Sequence, residues 1–194
     1  MNPTEEKILE AAEAIFMKHG YDGSRMQAIA DLAGINKAML HYYFRSKDKL
    51  FERIFEKKFN GFFPTIEELL QSQINFIDKL CLFAENYITF LIKNPFLPHF
   101  VLSTINKDPD FAKKLPHSMP QHLMMSYMED AEKGLCKMMN PMQLFMSVLG
   151  MCVFPFLGKP LFTSLLGASD EEFNELMEMR KAEIKGHIRS ILTP

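Results

Sequence analysis

Between Gly34 and Asn60 the chain sets seven Lys and Arg against three acids. The cations are Lys37, Arg45, Lys47, Lys49, Arg53, Lys57 and Lys58, the acids Asp48, Glu52 and Glu56, and the net is +4. His41, Tyr42 and Tyr43 lie among them. Cations beside aromatic and hydroxyl groups suit a phosphate backbone, because each ammonium or guanidinium replaces a condensed counterion. The 194-residue chain as a whole carries only -2. Residues 61–194 hold 12 basic and 15 acidic residues, a net of -3, so the positive excess is local.

Other constellations point to no chemistry. Cys81, Cys136 and Cys152 are odd in number and none is at C-x-x-C spacing, which argues for reduced thiols over a disulfide framework. His99, His117 and His122 match no usual ligand-pair spacing, so no metal and no cofactor are expected. The chain has no G-x-S-x-G, H-E-x-x-H or P-loop pattern; Gly158-Lys159 runs into Pro160. An enzyme is not expected.

The elements that must position the basic cluster read as helix after helix, without period-2 alternation. The expected class is all-α, with a boundary near Gly61 and Pro64 that divides the chain into residues 1–60 and 61–194. A first helix, about Thr4 to His19, has its stripe at Ile8, Ala12, Ile15 and Phe16 and stops at Gly20. Ser24 and Gln27 have capping-box spacing and open a second helix to Ala33, with Ala28, Ile29, Leu32 and Ala33 on its buried side. Gly34 breaks it, and Asn36 caps a third, Lys37 to Phe44. Ser46 caps a fourth, with its stripe at Leu50, Phe51, Ile54, Phe55 and Phe59. Further helices are predicted over 74–93, from the cap-then-proline signal Asn94-Pro95 to about Asn106, over 121–139, from Asn140-Pro141 to about Leu157, and from the capping box Ser169/Glu172 to Leu192. The second and third helices, with the turn between them, form a helix-turn-helix whose third helix is short enough to enter a major groove.

Met138 to Gly158 is 21 residues without a charge. Asn140, Pro141, Gln143, Ser147 and Pro155 interrupt it, and its solidly apolar part falls short of a bilayer core. A buried helix is expected, and no membrane association. Met1 to Lys18 lacks the basic start and apolar run of a signal peptide, so a cytoplasmic location is expected.

The ordered run ILEAAEAIFMKHGYDG followed by SRMQAIADLAGINKAMLHYYFRSKDKLF resembles the TetR/AcrR family of transcriptional regulators over residues 5–55. It shows that family's glycine-ended first helix, the turn at Ile29-Ala30-Asp31-Leu32-Ala33-Gly34, Lys37, Leu40 with Phe44, and Ser46-Lys47-Asp48-Lys49-Leu50-Phe51. The resemblance implies an N-terminal three-helix DNA-binding domain and a C-terminal helical domain for ligand binding and dimerisation. It implies a double-stranded operator as partner, with Lys37, Ala38, Met39, His41 and Tyr42 facing the groove or its walls, and Leu40 and Phe44 turned inward. Tyr42 and Lys47, with Ser24 and Arg25 at the start of the second helix, are assigned to phosphates, and Lys37 and His41 to base edges. Ala38, Met39 and His41 depart from the family's usual residues, so no operator sequence carries over.

After residue 60 the likeness is architectural. It implies a homodimer, which one short reading helix also needs in order to read a palindrome. The last two long helices would form a four-helix bundle across the dimer axis through Phe145, Val148, Leu149, Cys152, Phe173, Leu176, Met177, Ile184, Ile188 and Ile191. Nine methionines fall between Met119 and Met151. Flexible thioethers suit either an adaptable apolar pocket or a plain core. In the pocket reading a small hydrophobic effector meets Tyr87, Phe90, Phe100, Met124, Met128 and Phe156, with His122 as a polar handle. The expected function is a ligand-responsive repressor. The alternative is a helical protein that binds apolar ligands or lipid at a membrane surface.

Overall fold

The computed structural model describes residues 2–114 and 118–194, with side chains over 2–113 and 121–194. His117, weighed above as a metal ligand, and the Met119 side chain lie outside the described residues. Among the described residues there is no strand. The helices are α1 (Pro3–Gly23), α2 (Met26–Ala33), α3 (Lys37–Tyr43), α4 (Lys47–Gln71), α5 (Phe76–Lys93), α6 (Leu97–Lys107), α7 (Ser118–Glu132), α8 (Pro141–Leu157), α9 (Lys159–Leu166) and α10 (Asp170–Leu192), with a 3-10 turn at Pro109–Lys114. They divide into two compact units, Met1–Phe63 and Pro64–Pro194.

In the first unit, Ile8, Leu9, Ala12 and Phe16 of α1 are buried with Ile29 and Ala30 of α2, Leu40 of α3, and Leu50, Phe51 and Ile54 of α4. The Phe16 and Phe51 rings lie 4.6 Å apart, and Tyr21 meets Phe51 edge-on at 5.2 Å. Gly20 breaks α1 in a left-handed conformation (φ 64°), and a further turn follows it. Leu32, expected on the buried side of α2, is instead 56% exposed. Gly61 and Pro64 do not end α4. Asn60 and Pro64 are exposed, so the carbonyl that a proline four residues on leaves unbonded lies on the solvent side of the helix. Ile66 and Leu70 keep the buried stripe going beyond the proline.

In the second unit α5 packs along α10 and α8. Its buried face, including Leu80, Phe83, Ala84, Ile88 and Leu91, supplies the centre of the core. Two ion pairs tie α5 to α10, Lys185–Glu85 at 2.9 Å and Arg189–Asp78 at 2.7 Å. Three boundaries differ from expectation. Asn94 does not open α6; it is buried at the end of α5, where its amide donates to the Phe90 carbonyl, and α6 starts at Leu97. α7 ends at Glu132, because Gly134 (φ 71°) closes it with Gly134 N–H on Ala131 O and Leu135 N–H on Asp130 O. α9 starts without a side-chain cap, with Pro160 in its first turn and Gly167 (φ 63°) closing it, and none of its residues is buried. The caps Asn140 and Ser169/Glu172 form as their spacing predicts. Among the described residues no single helix is long and apolar enough to cross a membrane; α8 and α9 reach that length together but are bent by 63°.

Two buried polar groups fix this unit. Lys79 is 8% exposed, and its ammonium donates to the Leu70 carbonyl at the end of α4 (3.0 Å). Tyr127, 1% exposed, holds the chain between α7 and α8: its hydroxyl accepts from Met139 N–H (2.6 Å) and has the Lys137 and Met139 carbonyls within 3.1 Å. The three cysteines are unpaired and buried. Tyr127→Phe keeps the packing but strands the Met139 N–H, so it is expected to cost about 1–3 kcal/mol in urea unfolding at an unchanged m-value.

Candidate nucleic-acid interface and sensor residues

α3 has seven residues, too few to be stable alone, so its neighbours must hold it. Gly34 (φ 69°, ψ 31°) closes α2, with Ile35 N–H on Ala30 O and Gly34 N–H on Asp31 O. Two residues later Asn36 Oδ1 accepts the Met39 N–H at 2.7 Å and starts α3. Leu40, fully buried, and Phe44 at the end pin one side of α3 into the core. The opposite side is then left to solvent: Lys37, Ala38, Met39, His41 and Tyr42 are all exposed, Tyr42 by 83%. These five expected groove-facing residues share one outer face. Tyr43 is half-buried, and its hydroxyl accepts from Asn2 Nδ2 at 3.1 Å.

The four expected phosphate ligands separate. Tyr42 and Arg25 are exposed. Ser24 is buried, and its hydroxyl lies on the Gly20 and Ile15 carbonyls, so the capping box with Gln27 does not form and no phosphate contact is open to that hydroxyl. α2 is entered instead through Arg25, without a side-chain cap, and Gln27 donates to Asp31 at 2.7 Å. Lys47 is half-buried and committed as well: Nζ donates to Tyr21 O (2.8 Å) and Ser24 O (3.2 Å) and sits 4.3 Å from the centre of the Tyr21 ring. The Tyr21 hydroxyl donates to Asp48. Burial and that carboxylate push the Tyr21 phenol well above its ordinary pKa. Lys47 is therefore a strut between the start of α4 and the end of α1. A carbonyl pair attracts an ammonium as a phosphate does, and spacing alone does not separate the two. Arg45, in the turn after α3, is exposed.

In the second unit the expected pocket residues do not converge. Phe90, Phe100 and Phe156 are buried in the core, Phe100 edge-on to Phe111 and Phe156 edge-on to Phe173. Tyr87 stacks on Phe83 at 5.7 Å, and burial pushes its phenol far up. His122, Met124 and Met128 are exposed. An apolar cavity of about 50 Å³ does open between α5, α7 and the start of α8, lined by Phe76, Leu80, Leu123, Met124, Tyr127, Pro141, Met142, Leu144 and Phe145. Of the expected pocket residues only Met124 lines it. Among the described residues no group of three or more His, Cys, Asp or Glu is placed to hold a metal.

The expected dimer residues split the same way. Val148, Cys152, Phe173, Met177, Ile184 and Ile188 are buried within the chain's own core and are not available to a partner. Phe145 and Leu149 are half-buried, and only Leu176 and Ile191 are exposed. The strongest apolar stripe of a helix goes to its own core, so the stripe that spacing picks out is the wrong face for an interface. The outer faces carry Met142, Met146, Gly150 and Phe154 on α8, and Leu176, Met179, Ala182 and Gly186 on α10.

The family model "Bacterial regulatory proteins, tetR family" matches residues 8–54, which span α1, α2, α3 and the first part of α4. Over 59 residues the chain is 42% identical to the HTH-type transcriptional repressor NicS of Pseudomonas putida, a match covering 30% of this chain and 28% of that protein. It is 23% identical to the probable HTH-type transcriptional regulator YttP of Bacillus subtilis, over 97% of this chain and 93% of YttP. Among solved structures, a TetR transcription regulator from Haloarcula marismortui superposes with a TM-score of 0.70 at 18% identity, covering 98% of each chain. A mutant of HlyIIR superposes with a TM-score of 0.65 at 23% identity, over 98% of this chain and 97% of that one. Residues 8–54 thus carry the DNA-binding helix-turn-helix of the tetR family, within an all-helical fold shared with these solved structures.

Proposed function

We propose that the protein is a cytoplasmic homodimeric repressor that holds a palindromic operator through α3 of each copy and is released by a small hydrophobic effector. The outer face of α3 carries the reading: five exposed residues in succession around Leu40, on a helix fixed by a cap and two buried anchors. Lys37 and His41 offer donors to base edges. Tyr42, Arg25 and, in place of Lys47, Arg45 offer hydrogen bonds or charge to phosphates. A seven-residue helix reaches few base pairs, so affinity and specificity need a second copy about one helical turn away or a multiple of it.

The exposed face of α8 and α10 supports the dimer. Met146, Phe154 and Met179 are 52%, 56% and 67% exposed in the isolated chain, on helices whose other sides are already packed. Small residues beside them, Gly150, Ala182 and Gly186, let a second pair of helices approach closely; a Cβ added at Gly150 or Gly186 meets nothing within the chain. Phe154 also meets Phe162 edge-on at 6.0 Å, so the same apolar surface continues onto α9. Release follows if the effector favours a dimer whose reading helices are mis-spaced for DNA.

Three outcomes are expected. Tyr42→Ala weakens binding to a duplex selected from a random library, and the slope of log affinity against log salt shrinks by about 0.9 for the lost phosphate contact, with thermal melting unchanged. Lys47→Ala instead lowers stability by about 1–2 kcal/mol, read by urea unfolding, because the Ser24 carbonyl loses its donor and the Tyr21 carbonyl keeps only the Ser24 N–H. Met179→Glu leaves far-UV dichroism intact and weakens self-association by about tenfold or more in sedimentation equilibrium, through a charge buried in the interface. A chain that binds no duplex at low salt would refute the repressor reading.

A further inference from the structure

We propose that Met39 selects thymine in each half-site by seating against the 5-methyl group of the base, with Ala38 letting α3 come close enough for the contact. This selection rests on α3 reading an operator, and it names the base chemistry that one side of the helix accepts.

The residues around these two already have a use. Lys37 and His41 bring donors for base edges, and Tyr42 brings a hydroxyl for a phosphate. Ala38 and Met39 bring neither a donor nor a charge. Met39 is 43% exposed all the same, in the turn that also carries the Lys37 ammonium. Both residues stand in the first turn of α3, the part of a reading helix that comes nearest the base edges.

The packing of α3 fixes where each side chain starts. Leu40 is fully buried, and a helix turns about 100° per residue. Lys37 and His41 therefore fall on one flank of the outer face, Ala38 and Tyr42 along its crest, and Met39 on the other flank. The helix has a donor side and an apolar side. Asn36 Oδ1 accepts the Met39 N–H at 2.7 Å, so the cap that starts α3 also holds the backbone under the thioether. Ala38 ends at Cβ, which keeps the crest low beside it.

Major-groove chemistry decides what the apolar side accepts. The thymine 5-methyl is the one apolar group that projects there; the purine and cytosine edges present nitrogen and oxygen donors and acceptors. A thioether laid over one of those strips its water and returns no hydrogen bond. Laid over a methyl it loses nothing polar and buries apolar surface on both sides. Methionine is unbranched and polarisable, so its side chain can follow the methyl as the helix seats. One buried methyl is worth about fourfold in affinity.

The test starts from the duplex that the full chain selects from a random library. Each thymine of the half-site is replaced in turn by uracil, in both halves, which removes the methyl and leaves the pairing edge unchanged. At one position or two neighbouring ones the replacement is expected to weaken binding by about fourfold per half-site. With Met39→Ala the same replacement should cost less than about twofold, and the variant should bind the uracil duplex as the parent chain does, so that the two losses are not additive. Melting stays unchanged, because Met39 is exposed and alanine favours a helix. Selected half-sites without thymine, uracil tolerated at every position, or a penalty that persists undiminished in Met39→Ala each overturn the proposal. A chain that selects a duplex yet ignores the methyl defeats this inference alone and leaves the DNA reading standing. A chain that selects no duplex defeats both.

Discussion

The ammonium of Lys47, seated on the Tyr21 and Ser24 carbonyls above the Tyr21 ring, ties together the end of α1, the entry to α2 and the start of α4. Everything the DNA-binding unit does depends on that corner. α3 brings only seven residues and cannot nucleate itself. Its position is inherited from Leu40 and Phe44, and theirs from a core that α1 and α4 close around Phe16 and Phe51. Part-buried carbonyls around the Gly20 break are bonded locally: the Ser24 hydroxyl lies on Gly20 O, and Lys47 reaches Tyr21 O and Ser24 O. The outer face of α3 is left to solvent because Leu40 and Phe44 hold its other side in the core.

How much of this was legible in the sequence follows from the kind of signal. Where a side chain must satisfy a specific backbone group at a fixed offset, the reading was clear: Asn36 on the Met39 N–H, Asn140 at the start of α8, and Ser169 with Glu172 at the start of α10. The left-handed turn at Gly34 belongs to the same class. Ser24 and Lys47 misled because a hydroxyl or an ammonium bonds a carbonyl as readily as a phosphate, and the sequence does not say which is nearer. Asn94 misled for a related reason: its amide can close the helix before it as well as open the one after it. Gly61 and Pro64 read as a break, yet a solvent-facing proline did not end the helix.

The second unit was less legible, because apolar stripes carry no address. Periodicity finds the stripe on α10 at Phe173, Met177, Ile184 and Ile188, but it cannot say whether a stripe faces its own core or a second copy. The same applies to the aromatics. Phe90, Phe100 and Phe156 were plausible walls for a ligand and turned out to be packed filling. The cavity instead formed where helix ends meet, beside a tyrosine whose hydroxyl occupies itself with a loop, an arrangement set by tertiary contacts alone.

The burial of all three cysteines has its own consequence for reactivity. Nucleophilic attack and oxidation proceed through the thiolate. Burial pushes the Cys152 thiol up to about 12 and raises those of Cys81 and Cys136 as well. At neutral pH the native chain therefore holds its sulfhydryls protonated and shielded, unresponsive to alkylating reagents and peroxides while it stays folded. Chemical tagging with a maleimide would ignore them and report only on a cysteine introduced at the surface. Once the core opened, the same three groups would react together, making thiol labelling a clock for unfolding.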